Sequence, residues 1–103
     1  MKLVCIPAYN EERKIKEVVK KALPHVDKVI VCDDGSTDNT AVLAKKAGAT
    51  VISHEKNLGY GAAISTLFDY CRKNNAEIMV TLDGDMVTKK SQFLLGERTH
   101  LRL

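Results

Sequence analysis

The chain alternates short apolar runs with segments in which apolar residues recur every three or four positions. The apolar runs are each short enough for one buried strand and cover residues 3–6, 29–32, 50–53 and 77–82. The segments between them predict three helices, one over residues 11–23, one ending at Gly48 and one ending at Asn74. Because apolar strands alternate with helices, the pattern indicates βαβ units around a parallel sheet.

The first helical segment shows this periodicity most clearly. Its apolar residues have the spacing of one face of an amphipathic helix and are Ile15, Val18, Val19, Ala22 and Leu23. Asn10 precedes two glutamates that favour the positive end of a helix, so Asn10 is the predicted N-cap. For the second helix, Ser36 or Thr37 is the predicted cap.

These elements predict an α/β fold of one domain. We expect a Rossmann-like, three-layer α/β/α arrangement with a parallel sheet, right-handed crossovers and the strand order 3-2-1-4. Residues 1–86 are predicted to form one βαβαβαβ unit. The pattern changes after Asp85, and residues 87–103 are predicted to be an atypical tail that contains a short helix.

Composition narrows the class of protein further. The 103 residues are 45% hydrophobic and 28% charged, which is ordinary for a globular domain and too apolar for a disordered one. A net charge of +3 with 5% aromatic residues gives no indication of a nucleic-acid-binding surface. No apolar run approaches the roughly 20 residues that span a bilayer, and no leader precedes the first strand. We therefore expect a cytoplasmic protein that binds no nucleic acid.

The cysteines and histidines do not suggest a metal site. Cys5, Cys32 and Cys71 are odd in number and form no C-x-x-C pair, so neither a disulfide framework nor a zinc site is expected. Three free thiols fit a reducing compartment. His25 and His54 lack metal-ligand spacing, and both are predicted to be ordinary surface or loop residues.

The polar residues that carry chemistry follow the predicted strands. In open α/β sheets, ligands bind outside the carboxyl ends of the strands, where the strand order reverses. Asp33 and Asp34 follow the second strand, and Asp83 and Asp85 follow the fourth, so four carboxylates are brought to one edge. Crowded carboxylates repel one another unless a cation or hydrogen-bond donors compensate. Asp83 and Asp85 therefore suggest a Mg²⁺ or Mn²⁺ site that bridges a diphosphate.

Each of these segments also has a purely structural interpretation. Asp-Gly-Asp at 83–85 is a good tight turn, and taken alone the turn is the more frequent reason for such a sequence. Residues 33–36 form either a turn with a helix cap or a carboxylate site for a nucleobase or ribose. The glycine-rich segment 57–63 either packs closely against a neighbour or brings its backbone to a phosphate or sugar; it lacks the features of a P-loop.

Taken together, the motifs resemble a known family. They occur in chain order as I-P-A-Y-N-E-E at 6–12, V-C-D-D-G-S-T-D-N-T at 31–40, N-L-G-Y-G-A-A at 57–63 and L-D-G-D at 82–85. This series resembles the N-terminal, nucleotide-sugar-binding half of inverting glycosyltransferases of family 2, which have the GT-A fold. The polyprenyl- (dolichyl-) phosphate sugar synthases are the most similar branch, and the resemblance covers residues 1–85.

The resemblance implies a function and a set of site residues. It implies transfer of a sugar from a UDP- or GDP-linked donor to an acceptor, often a lipid phosphate at the cytoplasmic face of a membrane. Asp83 and Asp85 match the metal-binding D-x-D motif, which would hold Mg²⁺ or Mn²⁺ on the diphosphate. The positions that match nucleotide-binding segments of the family are Pro7, Ala8, Tyr9, Glu11, Asp33, Asp34, Lys56, Asn57, Gly59 and Asp83.

The continuation after residue 85 does not follow the family pattern. No residue can be nominated as a catalytic base, and the segments that form the acceptor site in longer members are not found. We therefore expect a truncated chain that is inactive alone. The alternative is a non-catalytic remnant that self-associates as a homo-oligomer, through an exposed fourth strand or through the apolar residues 93–95. A receiver domain is disfavoured because its acidic residues would follow strands one and three.

Overall fold

The computed structural model describes residues 1–76, 78–83 and 86–94, and the side chains of residues 1–76. Strands and helices alternate in the order that the sequence predicts, with one further strand at the end. The elements are β1 Lys2–Ala8, α1 Ile15–Ala22, a 3₁₀ turn Leu23–His25, β2 Lys28–Asp33, α2 Thr40–Ala47, β3 Thr50–Ser53, α3 Tyr60–Lys73, β4 Ile78–Asp83 and β5 Met86–Leu94.

The strands form one sheet in the order β3-β2-β1-β4-β5. β1 pairs in parallel with β2 on one side and with β4 on the other, and β2 pairs in parallel with β3. The predicted fold class is confirmed, and the observed order contains the predicted 3-2-1-4. The chain moves outward from β1 to β3 and then returns across the sheet to β4. The strand order therefore reverses between β1 and β4, which is where ligands bind in sheets of this kind.

The helices cover both faces of the sheet, which gives the three predicted layers. On one face, Val4 and Ile6 of β1 pack with Ile15, Val18 and Val19 of α1. On the other face, Leu3 and Cys5 of β1 pack with Leu67 and Cys71 of α3. Adjacent residues of β1 thus point to opposite faces, as the pleat requires. Both faces of β1 are buried, which explains why its sequence is apolar throughout.

The predicted helix starts are wrong for α1 and α2. α1 begins at Ile15, with Lys14 rather than Asn10 at the N-cap position, and the Asn10 side chain accepts the Thr37 N–H instead of an amide of the helix. α2 begins at Thr40, and the carboxylate of Asp38, rather than Ser36 or Thr37, accepts the Thr40 backbone N–H at 3.0 Å. In both cases the expected capping residue is used for contacts between loops instead.

The segment after β4 is also a correction. Residues 86–94 form strand β5, antiparallel to β4, where a short helix was predicted. The register pairs Asp83 with Met86 and Ile78 with Leu94, so β5 lies along the whole of β4. Pairing with β5 satisfies the backbone groups of β4, so the predicted bare edge at β4 is wrong. Self-association itself stays a prediction. Leu95 and the rest of the predicted tail lie outside the described residues.

The described helices are all too short or too polar to cross a bilayer.

Candidate functional site

Three loops lie at the carboxyl edge of the parallel strands. Loop 1 is residues 9–14 after β1, loop 2 is residues 34–39 after β2, and loop 3 is residues 54–59 after β3. Backbone bonds connect the strand ends just beneath them: the Asp34 N–H donates to the Ala8 carbonyl at 2.8 Å, and the His54 N–H donates to the Asp33 carbonyl at 2.9 Å. All three loops therefore start from a common, hydrogen-bonded edge.

Loops 1 and 2 are joined by hydrogen bonds along their length. The Asn10 N–H donates to Ser36 Oγ at 2.8 Å, and Asn10 Oδ1 accepts the Thr37 N–H at 2.9 Å. Further along, Glu12 Oε1 accepts the Asn39 N–H at 3.1 Å. Each of these bonds is exposed to solvent. We call this set of contacts the outer junction.

The buried end of the outer junction is Thr40, the first residue of α2, which is fully buried. Its Oγ1 accepts the Glu11 N–H at 2.8 Å and donates to Asp38 Oδ1. Asp38 Oδ2 accepts the Glu12 N–H at 3.3 Å. This explains the repeated Ser, Thr, Asp and Asn residues between 36 and 40: they connect loop 1 to the start of α2.

Loops 2 and 3 meet at the carboxylate of Asp34, which is 5% exposed. Oδ1 accepts the Leu58 N–H at 2.9 Å and Oδ2 accepts the Gly59 N–H at 2.9 Å. His54 Nδ1 lies 2.7 Å from Oδ1. Asn57 adds a bond from its side-chain amide to the Asp34 carbonyl at 3.3 Å. We call this set of contacts the inner junction.

The pKa of Asp34 reflects these contacts. Burial by itself raises the pKa of a carboxyl group, because it penalises the charged form. The hydrogen bonds from Leu58, His54 and Gly59 outweigh burial, so the pKa of Asp34 lies below its ordinary value. Asp34 is therefore ionised at neutral pH and accepts from all three donors.

Gly35 allows the close approach of loops 2 and 3. Its φ is +75°, in the region that residues with a side chain rarely adopt. A Cβ at this position would lie 2.3 Å from the carbonyl carbon of Lys56 and 2.4 Å from the backbone nitrogen of Asn57. The backbones of the two loops therefore touch with no space for a methyl group. The tight contact is made by Gly35, whereas the glycines of the segment 57–63, Gly59 and Gly61, have open space at their Cβ positions.

His54 is the site residue that the sequence interpretation missed. It was predicted to be an ordinary loop residue, but its side chain is 11% exposed and lies between Asp34 and Thr66 of α3. Its Nε2 is 2.8 Å from Thr66 Oγ1. The available signal was the position of His54 directly after β3, which brings it to the same edge as Asp34.

The remaining predicted nucleotide-binding residues lie along the same edge. Pro7 and Ala8 are buried at the end of β1, whereas Tyr9 is 45% exposed at the start of loop 1. Glu11 is half-buried in loop 1. Asp33 is 5% exposed, and its Oδ1 accepts the Ser36 N–H at 3.2 Å.

Loop 3 presents a cation and a glycine at this edge. Lys56 and Asn57 are exposed, and Gly59 is half-buried with φ +105° immediately before α3. Gly59 has open space around its Cβ position, unlike Gly35. Loop 3 is thus held from beneath by its backbone while the Lys56 side chain stays accessible to solvent.

The predicted metal ligands are described only in part. Asp83 ends β4, which is parallel to β1, so its backbone lies at the same edge of the sheet as the three loops. Asp85 lies outside the described residues. Within the part of the chain that the structure describes, no group of three His, Cys, Asp or Glu side chains could hold a metal ion. The expectation of a metal site therefore rests on Asp83 and Asp85.

Comparison with known proteins gives one family. Residues 3–94 match the family model described as glycosyl transferase family 2. The UDP-N-acetylglucosamine–dolichyl-phosphate N-acetylglucosaminyltransferase of Methanococcus voltae is 37% identical; the match covers 78% of this chain and 39% of that protein. An undecaprenyl-phosphate 4-deoxy-4-formamido-L-arabinose transferase of Pseudomonas fluorescens is 35% identical, over 81% of this chain and 27% of the relative.

Solved structures give the same result. Glucosyl-3-phosphoglycerate synthase from Mycobacterium tuberculosis, in complex with Mn²⁺, UDP and glucosyl-3-phosphoglycerate, superposes with a TM-score of 0.69 at 34% identity. The match covers 82% of this chain and 33% of that chain. Another structure of the same synthase holds Mg²⁺ and UDP. This chain spans about a third of the length of the curated relatives that it matches.

Proposed function

This chain belongs to glycosyl transferase family 2, with the GT-A fold, and we propose that its carboxyl edge binds a nucleoside-diphosphate sugar together with a divalent cation. The reaction that we propose is transfer of the sugar to a phosphate-bearing acceptor. Support for the donor comes from the related synthase, whose structures hold UDP with Mn²⁺ or Mg²⁺.

One observation carries the proposal. Two buried carboxylates, Asp33 and Asp34, lie beside three loops that are already hydrogen-bonded to one another. Loops held in this way lose little conformational entropy when a ligand binds. Their position beside the reversal of strand order is the place where this class of sheet binds nucleotides.

The two carboxylates are proposed to have different roles. Asp34 accepts three hydrogen bonds from within the chain, so most of its capacity to accept is already used. Asp33 accepts the Ser36 N–H through Oδ1, and no described residue donates to its Oδ2. The resemblance implies contact with the nucleobase by Asp34 together with Asp33. Because Asp34 is already used within the chain, we assign contact with the nucleobase to Asp33 and support of loop 3 to Asp34.

The other residues of the edge complete the proposed donor site. Pro7, Ala8, Tyr9 and Glu11 are proposed to line the base and the ribose, in agreement with their place at the end of β1 and in loop 1. The exposed ring of Tyr9 is suited to stacking on a base. In loop 3, Lys56, Asn57 and Gly59 are proposed to lie along the diphosphate or the sugar.

The metal site is proposed at the end of β4. Asp83 and Asp85 supply two carboxylates separated by one residue, and oxygen donors of this kind suit Mg²⁺ and Mn²⁺. When bound there, the ion would stabilise the charge that develops on the leaving diphosphate. We also propose that Asp83 contacts the nucleotide, which the parallel pairing of its strand with β1 supports.

The acceptor and the nucleobase of the donor are proposed from the relatives. Two of them act on dolichyl phosphate and undecaprenyl phosphate, and a third binds phosphoglyceric acid, so an acceptor that carries a phosphate is common to all three. We propose a lipid phosphate, which would bring the protein to the cytoplasmic face of a membrane as a peripheral protein. We favour UDP over GDP for the donor, because the relatives with a named nucleotide bind UDP.

Calorimetric titration of UDP and GDP, with and without Mn²⁺, tests the proposal. We expect UDP to bind more tightly with Mn²⁺, and the affinity to fall about tenfold or more in Asp33→Asn. Asp83→Asn should abolish the effect of Mn²⁺. Asp69→Asn is the matched control, since Asp69 is an exposed carboxylate paired with Arg72 on α3.

A folded protein that binds neither nucleotide would contradict the proposal. Binding of UDP without transfer to any phosphate-bearing acceptor would favour the alternative, a non-catalytic nucleotide-binding protein. Transfer is measured with UDP-sugars labelled in the sugar, using polyprenyl phosphate and phosphoglyceric acid as acceptors.

A further inference from the structure

Asp34, His54 and Thr66 form a continuous chain of side-chain contacts beneath loop 3. The chain runs from the end of β2, through the residue after β3, to the second turn of α3. Its distances are 2.7 Å from Asp34 Oδ1 to His54 Nδ1 and 2.8 Å from His54 Nε2 to Thr66 Oγ1. His54 is thus held on both ring nitrogens by elements that are far apart in sequence.

The contacts determine which ring nitrogen carries the proton. An ionised carboxylate only accepts hydrogen bonds, so His54 Nδ1 carries a hydrogen and donates it to Asp34. In the neutral ring, Nε2 then accepts the hydroxyl hydrogen of Thr66. Cys32 also faces His54, with its Sγ 3.7 Å from Nε2, which is a weaker contact.

This arrangement constrains loop 3 through a single group. Asp34 Oδ1 accepts both from His54 and from the Leu58 N–H, while Oδ2 accepts from the Gly59 N–H. If the carboxylate rotated about its own bonds, both amides would lose their acceptor. The Nδ1 donor of His54, itself fixed by Thr66, holds the carboxylate in the orientation that both amides need.

We propose that His54 is a positioning residue: acting through Asp34, it holds loop 3 in the conformation that binds the nucleotide donor. The effect on loop 3 follows from the hydrogen bonds alone, whereas the effect on the nucleotide rests on the proposed function. His54 therefore contributes to donor binding without touching the donor. The loop residues whose position depends on it are Lys56, Asn57, Leu58 and Gly59.

The test compares three variants with the wild-type protein. His54→Ala removes both ring contacts. His54→Asn keeps a nitrogen donor at about the place of Nδ1 and loses the contact with Thr66. His25→Ala is the matched control, because His25 is an exposed histidine in the 3₁₀ turn before β2, at the opposite edge of the sheet.

Two readouts are needed for each variant. The first is hydrogen exchange of the Leu58 and Gly59 amides, with the Ile30 and Val31 amides of β2 as a measure of global stability. The second is the dissociation constant of UDP with Mn²⁺. We expect His54→Ala to accelerate exchange at Leu58 and Gly59 about tenfold more than at Ile30 and Val31, and to weaken UDP binding about tenfold. His54→Asn should keep most of the wild-type protection of the two amides and most of the affinity for UDP. His25→Ala should change neither the exchange rates nor the affinity.

The outcomes separate this inference from the proposed function. Unchanged exchange at Leu58 and Gly59 in His54→Ala overturns the inference, as does faster exchange at the two amides with an unchanged affinity for UDP. An equal acceleration at all four amides also overturns it, because His54 would then act on global stability alone. If the wild-type protein binds no nucleotide, the proposed function fails; the exchange rates still decide whether His54 holds loop 3.

Discussion

The outer and inner junctions connect loop 2 to its two neighbours, loop 1 and loop 3, in opposite ways. The outer junction consists of several hydrogen bonds between loops 1 and 2, and its acceptors include Ser36, Asn10 and Glu12 at the surface. The inner junction depends on the carboxylate of Asp34, which is almost completely buried and accepts three hydrogen bonds. The outer junction is distributed and, except at Thr40, exposed or half-buried, whereas the inner junction is concentrated on one buried carboxylate.

The difference lies in what replaces a lost contact. At the outer junction, water can take the place of a missing side-chain acceptor, so each bond contributes little by itself. At the inner junction, a missing acceptor leaves buried donors without a partner, which costs much more than the bond contributed. We therefore expect substitutions at the inner junction to have large effects and those at the outer junction small ones.

The largest effect is expected for Gly35→Ala, at the contact between loops 2 and 3. The added methyl group would lie 2.3 Å from the Lys56 carbonyl carbon, and the φ of +75° is strained for alanine. The two backbones must separate, so the free energy of unfolding should fall by about 3 kcal/mol or more. Urea denaturation measures this. Gly59→Ala is the control, because its positive φ adds strain without a clash; an equal loss in both variants would contradict the close contact.

The second effect is the loss of the buried acceptor in Asp34→Ala. The amides of Leu58 and Gly59 and the His54 N–H would lose their partner, at a cost of about 3 kcal/mol. Asp38→Ala is the matched substitution at the outer junction, where the carboxylate is half-buried and also accepts three bonds. We expect Asp38→Ala to cost about 1 kcal/mol. An equal loss in the free energy of unfolding of the two variants would mean that burial does not make the inner junction more sensitive than the outer one.

The third effect is a dependence of stability on acid pH. The pKa of Asp34 is lower in the folded protein than its ordinary value of about 4, so the unfolded state binds more protons as the pH falls. The stabilisation from Asp34 is fully present above pH 4 and is lost as the pH falls through the lowered pKa. The pKa of Asp38 is also lowered, because bonds from Thr40 and Glu12 outweigh its burial.

Urea midpoints measured between pH 2 and pH 6 separate these two contributions. For the wild-type protein, the urea concentration at the midpoint should decrease once the pH is lowered below about 4. This decrease should be smaller in Asp34→Asn and in Asp38→Asn. If the urea midpoint of Asp34→Asn decreased at acid pH as much as that of the wild-type protein, Asp34 would not be stabilised in its charged form.

The smallest effect is expected for Ser36→Ala in the outer junction. This substitution removes the acceptor of the Asn10 N–H, which lies at the surface and can bond to water. The free energy of unfolding should change by about 0.5 kcal/mol or less. A loss of several kcal/mol in the urea titration would show that the outer junction depends on this one hydrogen bond and is not distributed over several.

The features that could be predicted from the sequence are those that local periodicity controls. The apolar spacing of Ile15, Val18 and Val19 gave the buried face of α1 correctly, because that spacing determines which side chains a helix can bury together. The order of the parallel strands and the position of Asp33 and Asp34 at the carboxyl edge also followed from chain order and apolar runs.

The errors occurred where contacts distant in sequence decide local structure. Asn10 and Ser36 have the chemistry of helix caps, but each finds a partner in the neighbouring loop instead. His54 is unremarkable in sequence and becomes part of the inner junction only because β3 lies beside β2. β5 forms because β4 offers unpaired backbone groups, which no pattern within residues 86–94 reveals.

The most direct test of the central claim is to map nucleotide binding on the ¹⁵N-labelled protein by NMR, titrating UDP in the presence of Mg²⁺. If the joined loops form the donor site, the amide shifts should be concentrated in residues 9–14, 33–36 and 56–59. Amides around His25 and Lys28, at the opposite edge, should stay unchanged. Shifts concentrated at that opposite edge, or none at all in a folded protein, would contradict the account.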